Sequence, residues 1–155
     1  MTVERVEREK FKYSGFLLVV QVQKTKLPEA LEDRRLPEQL RRALKEWYEW
    51  LTTWYNMSVE TIVEPGVVKI IISCDIEEEL RRCEEACIKG AENKEEAWYG
   101  CHEGCTEDIV RDLYTDVGVT TNRLDEVLAE RGIRGKVEYG WDNYTYWARY
   151  EIELD

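Results

Sequence analysis

No stretch of the 155-residue chain approaches eighteen consecutive apolar residues, and its start, MTVERVEREK, is charged instead of apolar. These absences argue against a membrane span and against a secretory signal, so the expected location is the cytoplasm. Serine (three), glutamine (three), asparagine (four) and histidine (one) are scarce beside 22 basic and 33 acidic residues. Few thermolabile amides with much Glu, Lys and Arg is the pattern of hyperthermophile proteins. No Gly-x-Ser-x-Gly nucleophile elbow, phosphate-binding glycine loop or dinucleotide fingerprint occurs. The single histidine, His102, lies far in sequence from the three serines, so nucleophilic catalysis has little to stand on. A non-enzymatic protein without a cofactor is expected.

What is present argues for a packed globule. Hydrophobic residues make up 43% of the chain, with six Trp and nine Tyr, which is too apolar for disorder. The length fits one domain with a core of its own. Phe11 to Gln23, FKYSGFLLVVQVQ, reads as one buried central strand. A charged connector holding Pro28 leads to Pro37, which opens a helix whose Leu40, Leu44, Trp47, Leu51 and Trp54 share one face. SVETIV and VVKIIIS flank Glu64-Pro65-Gly66 and read as a hairpin. Asp75 with Glu78, and Asn93 with Glu96, are spaced to begin two helices. A further helical region over about 107–131 is expected to break near Gly118, and a last hairpin is expected to turn at Gly140 to Asn143. The order predicts an α+β fold: a ferredoxin-like antiparallel sheet with helices on one face and an inserted disulfide-braced helical hairpin. Within one domain, residues 75–108 would form that acidic hairpin, and 109–155 a helix plus a C-terminal β-hairpin.

Residues 83–105, CEEACIKGAENKEEAWYGCHEGC, hold two Cys-x3-Cys pairs. Cysteines at i and i+4 lie on one helical face. Two antiparallel helices so marked can pair Cys83 with Cys105 and Cys87 with Cys101. Intracellular disulfides are common in hyperthermophiles, which joins the cysteines to the composition. The arrangement resembles the twin Cys-x3-Cys helical hairpins of small mitochondrial intermembrane-space proteins and of plant hairpin peptides, over these 23 residues alone. Zinc on the four thiolates, with His102 as a substitute ligand, and free thiols are the competing arrangements. Gly100 and Gly104 weaken the second helix, with close helix approach as their expected benefit. Cys74 ends an apolar strand and is expected to be a small core residue.

Charge is distributed unevenly. Residues 1–74 carry 12 basic and 11 acidic side chains, residues 75–108 carry 4 and 12, and residues 109–155 carry 6 and 10. The hairpin is the acidic pole. It is expected to serve as a rigid contact surface for a protein partner, one that is basic or itself binds nucleic acid, with Glu84, Glu85, Glu95 and Glu96 at its centre. Trp50 and Tyr48, if off the buried helix face, would form a second patch for a partner or a homodimer.

Two other function classes are weighed. Gly118-Val119-Thr120, the following helix and the last hairpin resemble the second half of a winged helix-turn-helix, yet Asp125, Glu126 and Glu130 on the would-be recognition helix repel phosphate. Lys24, Lys26, Arg34, Arg35, Arg41 and Arg42 form the clearest basic cluster, while Tyr144, Tyr146 and Tyr150 are expected to face the core. Asp75, Glu77, Glu78 and Glu79 would be the carboxylates of a metal-dependent nuclease, although acids at a helix start usually serve its dipole. The expected source is a hyperthermophilic archaeon or an archaeal virus.

Overall fold

The structure, a computed structural model, describes the backbone of residues 5–13 and 16–154 and the side chains of residues 24–154. Strands β1 (Arg5–Tyr13) and β2 (Phe16–Lys26) pair as an antiparallel ribbon. The single strand expected over residues 11–23 is therefore parts of two strands, and the burial expected there falls outside the described side chains. Among the described residues, β2 joins the rest of the sheet through Thr25 and Lys26, opposite Thr61 and Glu60 of β3 (Ser58–Glu64). The connector holds a one-turn helix, α1 (Leu27–Ala30), with Pro28 in its first turn and Leu27 and Ala30 buried. This turn was invisible as a pattern because four residues cannot show a period.

Helix α2 (Glu38–Trp54) starts after Pro37 and buries Leu40, Ala43, Leu44, Trp47 and Leu51, a spacing of three and four that makes one apolar face. Trp54 does not complete that face. It ends the helix and is 70% exposed. β3 and β4 (Val67–Asp75) turn at Pro65-Gly66, a two-residue link in which Gly66 takes φ +81, a backbone angle glycine adopts without strain.

Helix α3 (Glu77–Lys89) and helix α4 (Lys94–Ala129) follow. Asn93 Oδ1 accepts from the Glu96 N–H at 3.1 Å and caps α4 as expected, whereas the cap position of α3 is Ile76, without a side-chain cap bond, and Asp75 one residue earlier accepts from the Glu77 N–H at 2.8 Å. Glu78 departs from the capping-box expectation, since its carboxylate accepts from Arg81 and Arg82. The expected break near Gly118 is absent: α4 runs 36 residues without interruption. Weak local propensity there is overridden by packing, because Leu113, Val117, Thr120, Thr121, Leu124 and Leu128 all lie on the buried face. The threonine hydroxyls are satisfied inside the helix, Thr120 donating to Val117 O at 2.7 Å and Thr121 to Gly118 O at 3.1 Å.

Strands β5 (Gly135–Asp142) and β6 (Thr145–Glu153) close the chain, and the order is β1-β2-β3-β4-β6-β5 with every neighbouring pair antiparallel. The turn is Asn143-Tyr144, not Gly140 to Asn143; Asn143 adopts φ 55. Gly140 sits within β5 under the ring of Trp147, where an added Cβ would approach to 2.3 Å. The expected class holds, an α+β antiparallel sheet with helices and a disulfide-braced helical hairpin. The strand order differs from the ferredoxin-like expectation: a split β-α-β unit would set β4 between β2 and β3, whereas β2 lies directly beside β3 and β3 beside β4.

One face of the sheet carries the core. Val59, Val68, Ile70, Ile72, Tyr146, Ala148, Tyr150 and Ile152 alternate along β3, β4 and β6 and pack beneath α2 and α4. The Trp47 indole N–H donates to Thr120 O at 2.9 Å and ties the two helices together. The Tyr150 hydroxyl donates to the Asp125 carboxylate of α4. Burial, and then that carboxylate, hold the Tyr150 phenol well above its usual range.

Candidate functional site

Helix α3 buries only Leu80, and between Lys94 and Asp108 helix α4 buries only Cys101 and Cys105. The two segments form an arm with little apolar packing, so its order comes from covalent ties. Cys83 is bridged to Cys105 and Cys87 to Cys101, with Cα separations of 5.9 and 5.8 Å. The bridging arrangement therefore replaces the zinc and free-thiol alternatives. Gly100 and Gly104 do not serve close helix approach, since a Cβ at either would meet nothing within 4 Å.

A polar and aromatic tie adds to the bridges. His102 Nδ1–H donates to Glu84 Oε1 at 2.6 Å across the arm, and the imidazole stacks on Trp98, centroids 5.0 Å apart and planes 7° from parallel. Trp98 is 41% exposed and Tyr99, edge-on to it, is 75% exposed. The four singled-out glutamates thus divide. Glu84 turns inward to His102, and Glu85 pairs with Arg81 at 3.0 Å, while Glu95 and Glu96 stand exposed in the first turn of α4. Trp98 and Tyr99 were missed by the sequence reading. Two adjacent large aromatics inside a strongly acidic helical stretch were the available signal.

Trp50 is half-buried, tilted against Tyr55 at 5.7 Å and covered by the Arg123 guanidinium at 5.9 Å. Trp54 is the exposed aromatic of α2. Three of the six residues of the basic cluster have local partners. Arg35 pairs with Asp33, Arg42 pairs with Glu38, and Arg41 donates to the Asp33 and Leu36 carbonyls. The Arg35 guanidinium holds the Asp33 carboxyl below its ordinary range. Tyr146 and Tyr150 face the core as expected, whereas Tyr144 lies in the turn and is 46% exposed. The winged-helix pattern is not formed, because the helix-to-helix turn it needs at Gly118 does not exist.

The proposed nuclease carboxylates separate too. Asp75 and Glu79 line a cleft of about 440 Å³ with Cys74, Asp112 and Asp116, while Glu78 faces Arg81 and Arg82. Among the described residues, no three His, Cys, Asp or Glu side chains converge closely enough to hold a metal ion. Burial, with the Asp116 charge, pushes the Cys74 thiol up to about 11, so it stays protonated near neutrality. On the helix-free side of the sheet, Lys69 pairs with Glu64 and Arg149 with Glu138. No helix among the described residues is long and apolar enough to cross a membrane.

No protein-family model matches the chain, and comparison with curated proteins and with solved structures finds no match.

Proposed function

We propose that the chain is a non-enzymatic protein-binding module whose braced arm presents Trp98 and Tyr99, with Glu95 and Glu96 around them, to a basic protein surface. The observation that carries this is the exposure of two large aromatics on an arm that adds little to the core. Trp and Tyr dominate binding energetics where they are desolvated by a partner, and surrounding charge sets encounter rate and register. The bridges hold the arm in its bound shape beforehand, which lowers the ordering cost of association. Composition supports a hyperthermophilic archaeon, or one of its viruses, as the setting. There the partner would be a basic protein, including one that itself binds nucleic acid.

The test is capture from the native host with the intact chain, in parallel with Trp98→Ala/Tyr99→Ala and with Glu95→Gln/Glu96→Gln. A partner held by the wild type, kept after nuclease treatment and lost with the aromatic pair supports the reading. The Gln pair should slow association at low salt, and the difference should shrink as salt rises, since the Debye length is about 8 Å at roughly 0.15 M. Partner binding unchanged by both variants, or capture abolished by nuclease, overturns it.

A further inference from the structure

Strand β5 ends the sheet, and among the described residues only β6 pairs with it. Backbone hydrogen bonds at the two ends of the β4–β6 ladder fix which backbone groups of β5 point outward. The Ile76 N–H donates to Tyr144 O at 2.9 Å and the Leu154 N–H to Gly66 O at 2.8 Å, so even-numbered residues of β6 bond to β4. Odd-numbered residues of β6 therefore bond to β5, where they face Lys136, Glu138, Gly140 and Asp142. The N–H and C=O groups of Val137, Tyr139 and Trp141 are left directed at the outer edge. Such an edge is a template for another strand, and proline, which natural edges often use to block pairing, does not occur in it.

The flank of this edge is aromatic. Tyr139 is 45% exposed, Trp141 38% and Tyr114 of α4 47%. They are held in place, Trp141 Nε1–H donating to Tyr114 OH at 3.0 Å and the Tyr139 and Thr121 hydroxyls bonding at 2.9 Å. A shallow apolar surface on α4 continues from Tyr114 through Val110 to Thr106.

We propose that β5 pairs antiparallel with β5 of a second copy of this chain, on a two-fold axis through Tyr139. The charges of the strand select this occupant and this register. In an antiparallel pair, directly opposed residues share a face. Centred on Tyr139, Lys136 faces Asp142 of the other copy twice, Glu138 faces Gly140, and Val137 faces Trp141. All of residues 136–142 then pair within the strand. Centring on Glu138 sets Glu138 against itself, and centring on Gly140 sets Glu138 against Asp142 twice. Centring on Val137 is charge-compatible but carries Trp141 past the start of β5, opposite Ile133. The Tyr139 register makes outward-directed groups meet, so residues 137, 139 and 141 of each copy exchange ladder hydrogen bonds. The result is a closed dimer with a sheet continuous across the interface.

The test is the solution mass of the intact chain by sedimentation or light scattering over a concentration series, with circular dichroism to confirm folding. The wild type should be a dimer. Val137→Pro removes an outward N–H without touching the β6 ladder, and it should give a monomer, while Val137→Ala stays dimeric. Lys136→Glu and Asp142→Lys each set like charges opposite twice, and each should weaken dimerisation about tenfold or more. An equimolar mixture of these two variants should recover a heterodimer, and the double variant should recover the homodimer. A monomeric wild type, a dimeric Val137→Pro protein, or a mixture no tighter than its components overturns the proposal. Should any single variant fail to fold, the double variant and the wild type still decide.

Discussion

Between Lys94 and Asp108, helix α4 buries two cysteines, whereas from Ile109 to Ala129 it buries eight further side chains, among them Leu113, Val117, Leu124 and Leu128. One continuous helix is thus held by two kinds of bond. Its second half is fixed by apolar burial against α2 and the sheet, which is cooperative with the rest of the core. Its first half is fixed by two cross-links to α3, which act locally and leave the outer surface uncommitted. The difference shows how a chain can extend structure beyond its core: where burial is not available, covalent ties substitute for it.

That contrast can be broken from the core side with the largest effect. Leu124→Ala should destabilise the whole domain by about 2–5 kcal/mol through a cavity under α4, measured by chemical denaturation. The arm should keep its bridges, visible by non-reducing peptide mapping. Next in size is the covalent side. Replacing all four bridging cysteines with serine should lower the opening free energy of residues 77–108, each bridge contributing on the order of 3 kcal/mol and the nested pair less than twice that. Hydrogen exchange should accelerate there and much less in residues 109–129. Equal acceleration in both halves would show that the arm and the core are one cooperative unit. The smallest effect sharpens the comparison by repairing the weak half. Gly100→Ala and Gly104→Ala should each stabilise the arm by about 1 kcal/mol, since a methyl there meets nothing. Destabilisation by either would mean the backbone is approached closely at that point.

Legibility in the sequence followed the same division. The cysteine spacing carried the hairpin and its pairing, because a four-residue interval on a helix fixes direction without reference to the rest of the chain. The Leu40-Leu44-Trp47-Leu51 stripe and the Pro65-Gly66 turn were readable for the same local reason. Gly118 misled because its neighbourhood, Val117 to Thr121, is poor helix on its own, and only packing against α2 makes it helical. Gly140 misled because its purpose lies across the strand, beneath Trp147, where no sequence window looks. Trp50 and Tyr48 marked a patch on α2, but Arg123, 73 residues further on, covers Trp50. Exposure of Trp98 was not legible because nothing local separates an aromatic that reaches the core from one on a helical segment that buries little.

The unbroken course of α4 also has a mechanical meaning. From Ile109, where the run of buried aliphatic side chains begins, back to the cap residue Asn93 is a span of sixteen residues. At a rise of 1.5 Å per residue this is a beam about 24 Å long, so a tilt of about 10° at its fulcrum sweeps the tip through about 4 Å. Cross-linking to α3 stiffens the beam against bending without pinning its far end. The base of the beam also meets the last hairpin, where Tyr114 packs against Tyr146 and accepts from the Trp141 indole N–H.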